Sequence, residues 1–512
     1  MTDSPEQEDQ PDPADVLVVG AGPTGLMLAN WLVKLGVLVL LVDAKAGPTR
    51  ESRALGIQSR SMEIYDQLGV VDDVLARAVH ADSMRQGFER TSFAPIPLTA
   101  LGRGITPYPG IHLLEQSANE SLLLRHLELL GGSVRWRHRL VELAQDAHGV
   151  RAVVDGLHGR RTVRARFAVG CDGAGSTVRD LCGIAFEGTT SRQTFYLIDA
   201  LAVTGLAPAS VNIRQGASEF LLAFPMRADD AGRNGHRLIG VADDAPAVTE
   251  ESARRRLADV FDVQYEDSRW FSTYRVQHRI AQRFRDGGVF LAGDAAHVHS
   301  PVGAQGMNTG LQDAHNLAFK LADVLRGRAP DTLLDRYAAE RTPVAERLLR
   351  TTDAFFRGIT SRSGVATSMR RYLPRVLLPV IVAFLPRLPV GRRVAGYLGQ
   401  LRIHYRMTEG PRQRRRDAVV GRRLPWTGSN HEALRSADWQ LHLYAADQAD
   451  TGTARAVAVE LQLPLTCFPS TGSTALKSGI LYLVRPDGFV AGASCPEEAI
   501  EAFRSAGGFR AP

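Results

Sequence analysis

Three short apolar runs that each end on a glycine–acid turn, and a long alternating stretch between the second and the third, predict an α/β fold, α+β overall. The first run is Val16–Val19, followed by Gly20-x-Gly22-x-x-Gly25, a helical stretch from Leu26 to Leu35, and a second buried strand from Val37 to Val42 that ends on Asp43. Strand, glycine turn, helix and strand in that order read as a Rossmann-like dinucleotide-binding unit. Gly20 allows the tight turn, Gly22 admits a pyrophosphate close to the backbone, and Gly25 lets the helix approach the strand. The helix N-terminus offers N–H groups to phosphates. Asp43 stands where a carboxylate accepts hydrogen bonds from a ribose.

After Asp43, a glycine–proline loop carrying Arg53 leads into helical periodicity from Ser59, with Met62, Ile64, Tyr65 and Leu68 apolar. His80–Pro109 is broken by Gly and Pro and reads as an irregular crossing into a second lobe. Ile111–Leu130 starts as a short strand and becomes a helix carrying Gln116, Asn119 and Glu120. Val134–Phe167 alternates apolar and polar residues, as antiparallel strands do, and runs into Gly170-Cys171-Asp172-Gly173-Ala174-Gly175-Ser176. Ser176 is a good N-cap for the helix that follows. Thr194–Arg275 holds many short alternating runs with one helix near Glu251–Val260, a mainly antiparallel lobe. Val289–Ala292 is the third buried strand, ending on Gly293-Asp294. A helix then begins near Met307, with Leu311, Ala314, Ala318, Leu321 and Val324 on one face. Proline-punctuated helix follows, and from about Gly410 a βαβ-like pattern marks a separate C-terminal domain.

Of 512 residues, 44% are hydrophobic and 23% charged, the composition of an ordinary globular chain with ample core. The net charge is +6, and Lys34, Lys45, Lys320 and Lys477 are the only lysines. No Lys/Arg stripe interleaves with aromatics, so nucleic acid is not expected as a partner. Cys171, Cys182, Cys467 and Cys495 form no C-x-x-C pair, which fits a reducing cytosol and argues against disulfide-reductase chemistry. Residues 1–14 are acidic with no apolar h-region, a disordered lead and not a signal peptide. Val376–Leu385, broken by Pro379, is too short for a transmembrane span. A cytoplasmic location is expected. His297-x-His299 has no Cys or carboxylate cluster beside it in the sequence, so no metal is expected.

In a doubly wound sheet, ligands bind beyond the carboxyl ends of the strands, so all three glycine–acid turns can face one crevice. One elongated dinucleotide accounts for them together. The first turn takes its pyrophosphate, Asp294 takes a polyol hydroxyl nearer the reactive end, and the helix from Met307 aims its positive end at the ring. An anionic reduced flavin ring is stabilised there, which favours FAD over NAD.

Four stretches, VVGAGPTGLMLA, ESRALGIQSRSMEIYDQLG, GCDGAGSTVR and VFLAGDAAHVHSPVGAQGMNTGLQDAHNLAFKL, with LYLVRPDGFVA near the end, carry a resemblance that covers nearly the whole chain after residue 14. The sequence resembles the class A flavoprotein aromatic hydroxylases of the para-hydroxybenzoate hydroxylase type, most of all the phenol-hydroxylase and polyketide-tailoring members with a thioredoxin-like tail. The resemblance implies that Gly20, Gly22, Pro23, Thr24 and Gly25 serve the FAD pyrophosphate, Asp43 the adenosine ribose, and Arg53 and Gln116 the FAD more generally. It places Asp172 and Gly173 in a motif serving both FAD and NAD(P)H, and Gly293 and Asp294 at the ribityl chain. Pro301, Gly303, Gly306, Met307 and Asn308 would border the flavin ring and the substrate. Asp43 departs from the family's commoner Glu, which alters reach but not charge.

The implied reaction is NAD(P)H-dependent reduction of FAD, then addition of O2 to give a flavin C4a-hydroperoxide that hydroxylates a phenolic or polyketide-derived aromatic. Baeyer–Villiger oxygenation and simple oxidation of a polycyclic aromatic are the alternatives. The flavin carries the hard chemistry, so no catalytic side chain is assigned. Pocket candidates are Pro301, Gly303, Tyr196, Phe224 and Tyr274, and no clustered arginine pair in the lobe marks a carboxylate-bearing substrate. The expected division is a lead at 1–14, an FAD-binding domain at 15–79, 110–190 and 276–350, and a substrate-binding domain at 80–109 and 191–275. A helical segment at 351–408 and a thioredoxin-like domain without C-x-x-C at 409–512 complete it. That last domain, unable to exchange thiols, is expected to support packing or a homodimer.

Overall fold

The computed structural model describes residues 12–49, 54–217, 219–242, 248–299, 305–360, 367–374, 389–405, 418–469 and 475–507. Its first sheet contains five parallel strands in the order Val289–Leu291, Gly159–Gly170, Asp12–Val19, Val39–Asp43 and Val134–Trp136. Such strands are covered on both faces, which is why Val16, Leu17 and Val18 are wholly buried without alternating. The register sets Val19 beside Gly170 and Gly170 beside Leu291. The three glycine–acid turns therefore leave adjacent strands at one edge of the sheet. Arg139–Asp146 and Gly149–Gly156 extend the sheet as an antiparallel meander off Gly159–Gly170.

Two helices meet behind this edge, Pro23–Lys34 and Gly306–Leu325. Their approach depends on missing side chains. A Cβ added to Gly25 would overlap the Gly20 carbonyl oxygen, and one added to Gly310 would overlap the Thr24 hydroxyl. Gly20 itself has φ +101°, a left-handed conformation in which any other residue is strained.

The second sheet has eight strands, in the order His297–Val298, Asp267–Ala281, Phe186–Leu201, Gly235–Ala242, Phe220–Met226, Ser210–Gln215, Ser83–Phe88 and Thr91–Pro97. All neighbours pair antiparallel except Ser210–Gln215 with Ser83–Phe88. His80–Pro109 is thus not an irregular crossing, because it supplies two strands of this sheet. Pro95 and Pro97 broke the pattern in the sequence, yet they sit on an edge strand, where a missing N–H costs no ladder bond. The lobe boundaries at 190/191 and 275/276 fall inside continuous strands, since Phe186–Thr190 already pairs with Gln277–Ala281. One face of the sheet is covered by the helix Glu250–Phe261, which a Thr249–Ser252 capping box starts.

The C-terminal sheet runs Leu465–Phe468, Gln440–Tyr444, Leu481–Val484, Val490–Ser494, with the first pair parallel and the other two antiparallel. Helices Gln448–Leu461 and Ala499–Gly507 complete this unit. It docks through the turn Arg485–Phe489 onto the helices Ser59–Leu68, Gly306–Leu325 and Asp335–Thr360. Arg485 reaches Glu340 at 2.6 Å and Asp487 at 2.5 Å, and Lys320 reaches Glu340 at 2.9 Å. Arg60 donates to the Asp487 carbonyl oxygen at 2.6 Å, and Phe489 stacks on Tyr405. The helix Asp335–Thr360 runs across the 350/351 boundary into the segment 351–408, which also holds the helix Pro389–Leu398. Val376–Leu385 and most of the N-terminal lead lie outside the described residues. Among the described residues no helix is long and apolar enough to cross a membrane.

Candidate functional site

Between the two sheets lies an elongated cleft of about 630 Å3 that all three glycine–acid turns line. Gly22 N-caps the helix Pro23–Lys34 without a side-chain cap, and the first turn of that helix has no acid. A Cβ on Gly22 would meet nothing within 4 Å, so the backbone there faces open space. Thr24 and Gly25 open the helix with N–H groups that have no intrahelical partner. The helix Gly306–Leu325 brings Gly306 and Met307 to the same cleft, and its Gln305 N-cap is likewise uncapped by a side chain. Two positive helix ends therefore converge on one elongated space.

Asp43 lies in the cleft wall, its Oδ2 accepting from the Ala21 N–H at 2.7 Å and its Oδ1 from the Lys45 N–H at 2.7 Å. Those bonds aim the carboxylate. Asp172 accepts from the Ser176 hydroxyl at 2.5 Å and the Val178 N–H at 3.1 Å. Burial raises its pKa against those hydrogen bonds, so it loses its proton less readily than a free aspartate. Asp294 sits exposed on the cleft side of the third turn. Gln116, Gly20, Pro23, Thr24, Gly173, Phe224 and Tyr274 also line the cleft.

Four expected residues are placed elsewhere. Gly25 and Gly293 lie beneath the cleft, where Gly293 packs on Thr24. Asn308 turns its side chain away, accepting from the Gln58 N–H at 2.9 Å and donating to the Gly56 carbonyl at 2.8 Å. Tyr196 is not a pocket residue. It lies on the opposite face of the lobe sheet, in a cluster with Ala253, Leu257 and Phe261 of the Glu250–Phe261 helix, while Phe195 and Leu197 take the cleft-side face. Arg53, Pro301 and Gly303 lie outside the described residues.

His297 Nε2 donates to Asp313 at 2.7 Å, and Asp313 also takes Arg341 at 2.6 Å and the Gly293 N–H at 3.1 Å. Burial pushes the Asp313 carboxyl up, but Arg341 and His297 outweigh it and hold the group below its ordinary range. Asp313 thereby ties the third turn to two helices.

Several contributors were not picked out from sequence. Arg179 donates to the Ala174 carbonyl at 3.0 Å and the Ala295 carbonyl at 3.2 Å, joining the second and third turns. Arg237, 1% exposed, lines the cleft and is held in a two-pronged pair by Asp199, both contacts 2.7 Å. The signal for Arg237 was a charge at the position of HRLIGVA that shares a face with Ile239. Only the parity of the strand reveals it.

The family model described as "FAD binding domain" matches residues 13–352. The chain belongs to that family. It is an FAD-dependent aromatic monooxygenase. It is 34% identical to 6-methylpretetramide 4-monooxygenase of Streptomyces rimosus, over 94% of this chain and 90% of that one. It is 38% identical to a rifampicin monooxygenase of Streptomyces venezuelae, over 77% of this chain and 86% of the relative. Among solved structures, anhydrotetracycline hydroxylase from Streptomyces rimosus superposes with TM-score 0.75 at 31% identity, covering 97% of this chain and 99% of that one. Aklavinone-11 hydroxylase, solved with FAD and aklavinone, gives TM-score 0.74 at 25% identity, with 96% and 98% covered. The bare backbone at Gly22, the two uncapped helix ends and the aimed Asp43 carboxylate of the monooxygenase fit an FAD pyrophosphate and ribose.

Proposed function

We propose that the monooxygenase hydroxylates a neutral phenolic or polyketide-derived polycyclic aromatic, with NADPH or NADH as reductant and O2 as oxygen donor. The observation that carries this reading is the composition of the lobe-side wall. Phe224, Ile239, Tyr274 and Val276 face the same cleft as the FAD turns. Tyr274 is braced by a stacked Phe195 at 5.6 Å. Bound FAD supplies the redox and oxygen-activating chemistry. The chain's own residues hold the cofactor, present a flat apolar surface to an aromatic ring and keep water from the space between them.

Arg237 sets the polarity of that wall. Its charge is balanced by Asp199, so it offers N–H donors without net attraction for a carboxylate. A phenol or ketone oxygen is the group it suits. Arg237→Lys removes the two-pronged geometry but keeps the charge. The expected result is a KM for the aromatic raised about tenfold, with FAD content unchanged and kcat little altered. Steady-state NAD(P)H oxidation checks it, and an unchanged KM would remove Arg237 from the substrate site. The names of the relatives, which include tetracycline-type and rifampicin monooxygenases, support the substrate class.

The five-part division of the chain is proposed with the lobe strands kept whole, so that Phe186–Leu201 and Asp267–Ala281 both belong to the substrate lobe. For the C-terminal unit we propose a thioredoxin-like domain without its redox pair. Its strand order and its opening β-α-β step support that assignment. The face carrying Arg485 is spent on the chain's own helices, so any homodimer would use another surface.

A further inference from the structure

The cleft wall beside Asp43 contains a carboxylate that no glycine–acid turn explains. Glu120 is wholly buried, yet it lines the cleft. Its Oε1 accepts from Gln116 Nε2 at 2.9 Å, and its Oε2 accepts from the Thr49 N–H at 2.9 Å. Gln116 and Glu120 are i,i+4 on the helix Gln116–Leu129, so helix geometry places them together. An amide that faces a carboxylate must turn its NH2 group towards it. With one N–H committed to Glu120, Gln116 keeps its Oε1 as the acceptor it offers the cleft. The same helix start also holds Ala54, whose carbonyl accepts from the Gln116 N–H at 3.1 Å and from Arg237 at 3.3 Å. Thr49 and Ala54 are thus both tied to the first two turns of one helix.

We propose that Glu120 is a positioning residue for FAD. It fixes Gln116 as a hydrogen-bond acceptor towards a sugar hydroxyl of the cofactor, and it holds Thr49 in the wall next to Asp43. The proposal rests on FAD as the occupant of the cleft. A sugar hydroxyl is the donor that matches a neighbouring carboxylate and amide oxygen, and Asp43 lines the same cleft.

Exchanging the two residues tests it. Equilibrium binding of FAD to the deflavinated full-length protein, read by quenching of flavin fluorescence, is compared for four proteins: wild type, Glu120→Gln, Gln116→Glu and the double exchange. Glu120→Gln must either lose the Thr49 bond or flip Gln116 so that it presents NH2 to the cofactor. Gln116→Glu sets two carboxylates face to face. Each single variant is expected to bind FAD at least about tenfold more weakly. The double exchange rebuilds both bonds, with the amide now donating from position 120 and the carboxylate accepting at position 116, and is expected within about threefold of wild type. Binding within twofold of wild type in Glu120→Gln overturns the proposal. A double exchange as weak as the weaker single variant overturns it too, including when the singles fail to fold. Failure of the wild-type protein to bind FAD would instead remove the cofactor reading, and the proposal with it.

Discussion

Arg485→Met is expected to lower the melting temperature by about 3–5 °C, because it leaves buried Asp487 without its cation and Glu340 with Lys320 alone. Arg485, Glu340 and Asp487 are 6%, 4% and 3% exposed. Burial opposes the charge on Glu340, but Arg485 first and then Lys320 hold its carboxyl well below the usual carboxylate range. Breaking such a pair from one side costs about 3–5 kcal/mol, since the remaining charge stays desolvated. Deleting residues 410–512 goes further, removing at once Arg485 from Glu340, Arg423 from Glu63 and Arg435 from Asp66. That deletion is expected to yield no folded FAD-binding remainder. The C-terminal domain is docked through buried ion pairs, Arg485 with Glu340 and Arg423 with Glu63. Calorimetry decides the matter: a shift under 2 °C in Arg485→Met would contradict the account.

Acid lability is the second large effect. Burial pushes His112, His236 and His431 down to about 4, His80 adding to the effect at His112, and burial pushes His442 down to about 3. In the unfolded chain each titrates near 6.5. As pH falls below that value the unfolded state takes up protons that the folded state refuses, so stability drops until the folded pKa is reached and then levels off. Each histidine removes about 1.4 kcal/mol by pH 5.5, and the four together about 5–6 kcal/mol. That is a large share of the roughly 5–15 kcal/mol that holds a fold. The urea midpoint is expected to fall steeply between pH 6.5 and 5. A flat midpoint over that range would mean that these rings are not buried as neutral groups.

The parts of the molecule legible in the sequence are those that local chemistry dictates. Gly20-x-Gly22-x-x-Gly25 admits one backbone path, and the Asp172 and Asp294 turns follow apolar runs that only a buried parallel strand explains. Parity was harder to read. Phe220–Met226 is buried at every position because a helix covers one face and the cleft wall the other, so alternation gave no inside and outside. Tyr196 was misplaced for that reason, one residue from Phe195 and on the wrong face. Asn308 lies in a motif that borders the site, yet its amide is consumed by Gly56 and Gln58, about 250 residues earlier in the chain. The Arg485–Glu340 pair spans 145 positions and left no local trace. Glu120 was visible as a polar residue one turn after Gln116. Its meaning appeared only once Thr49 was beside it.

The most direct test of the central claim is stopped-flow absorbance of the reduced holoenzyme mixed with oxygenated buffer, with and without neutral polycyclic phenols. The account predicts that one such ligand produces a resolved transient before the oxidised flavin spectrum returns, and that the product carries one oxygen atom from labelled O2. Single-phase return of oxidised flavin with stoichiometric H2O2 and no oxygenated product, for every ligand, would contradict it.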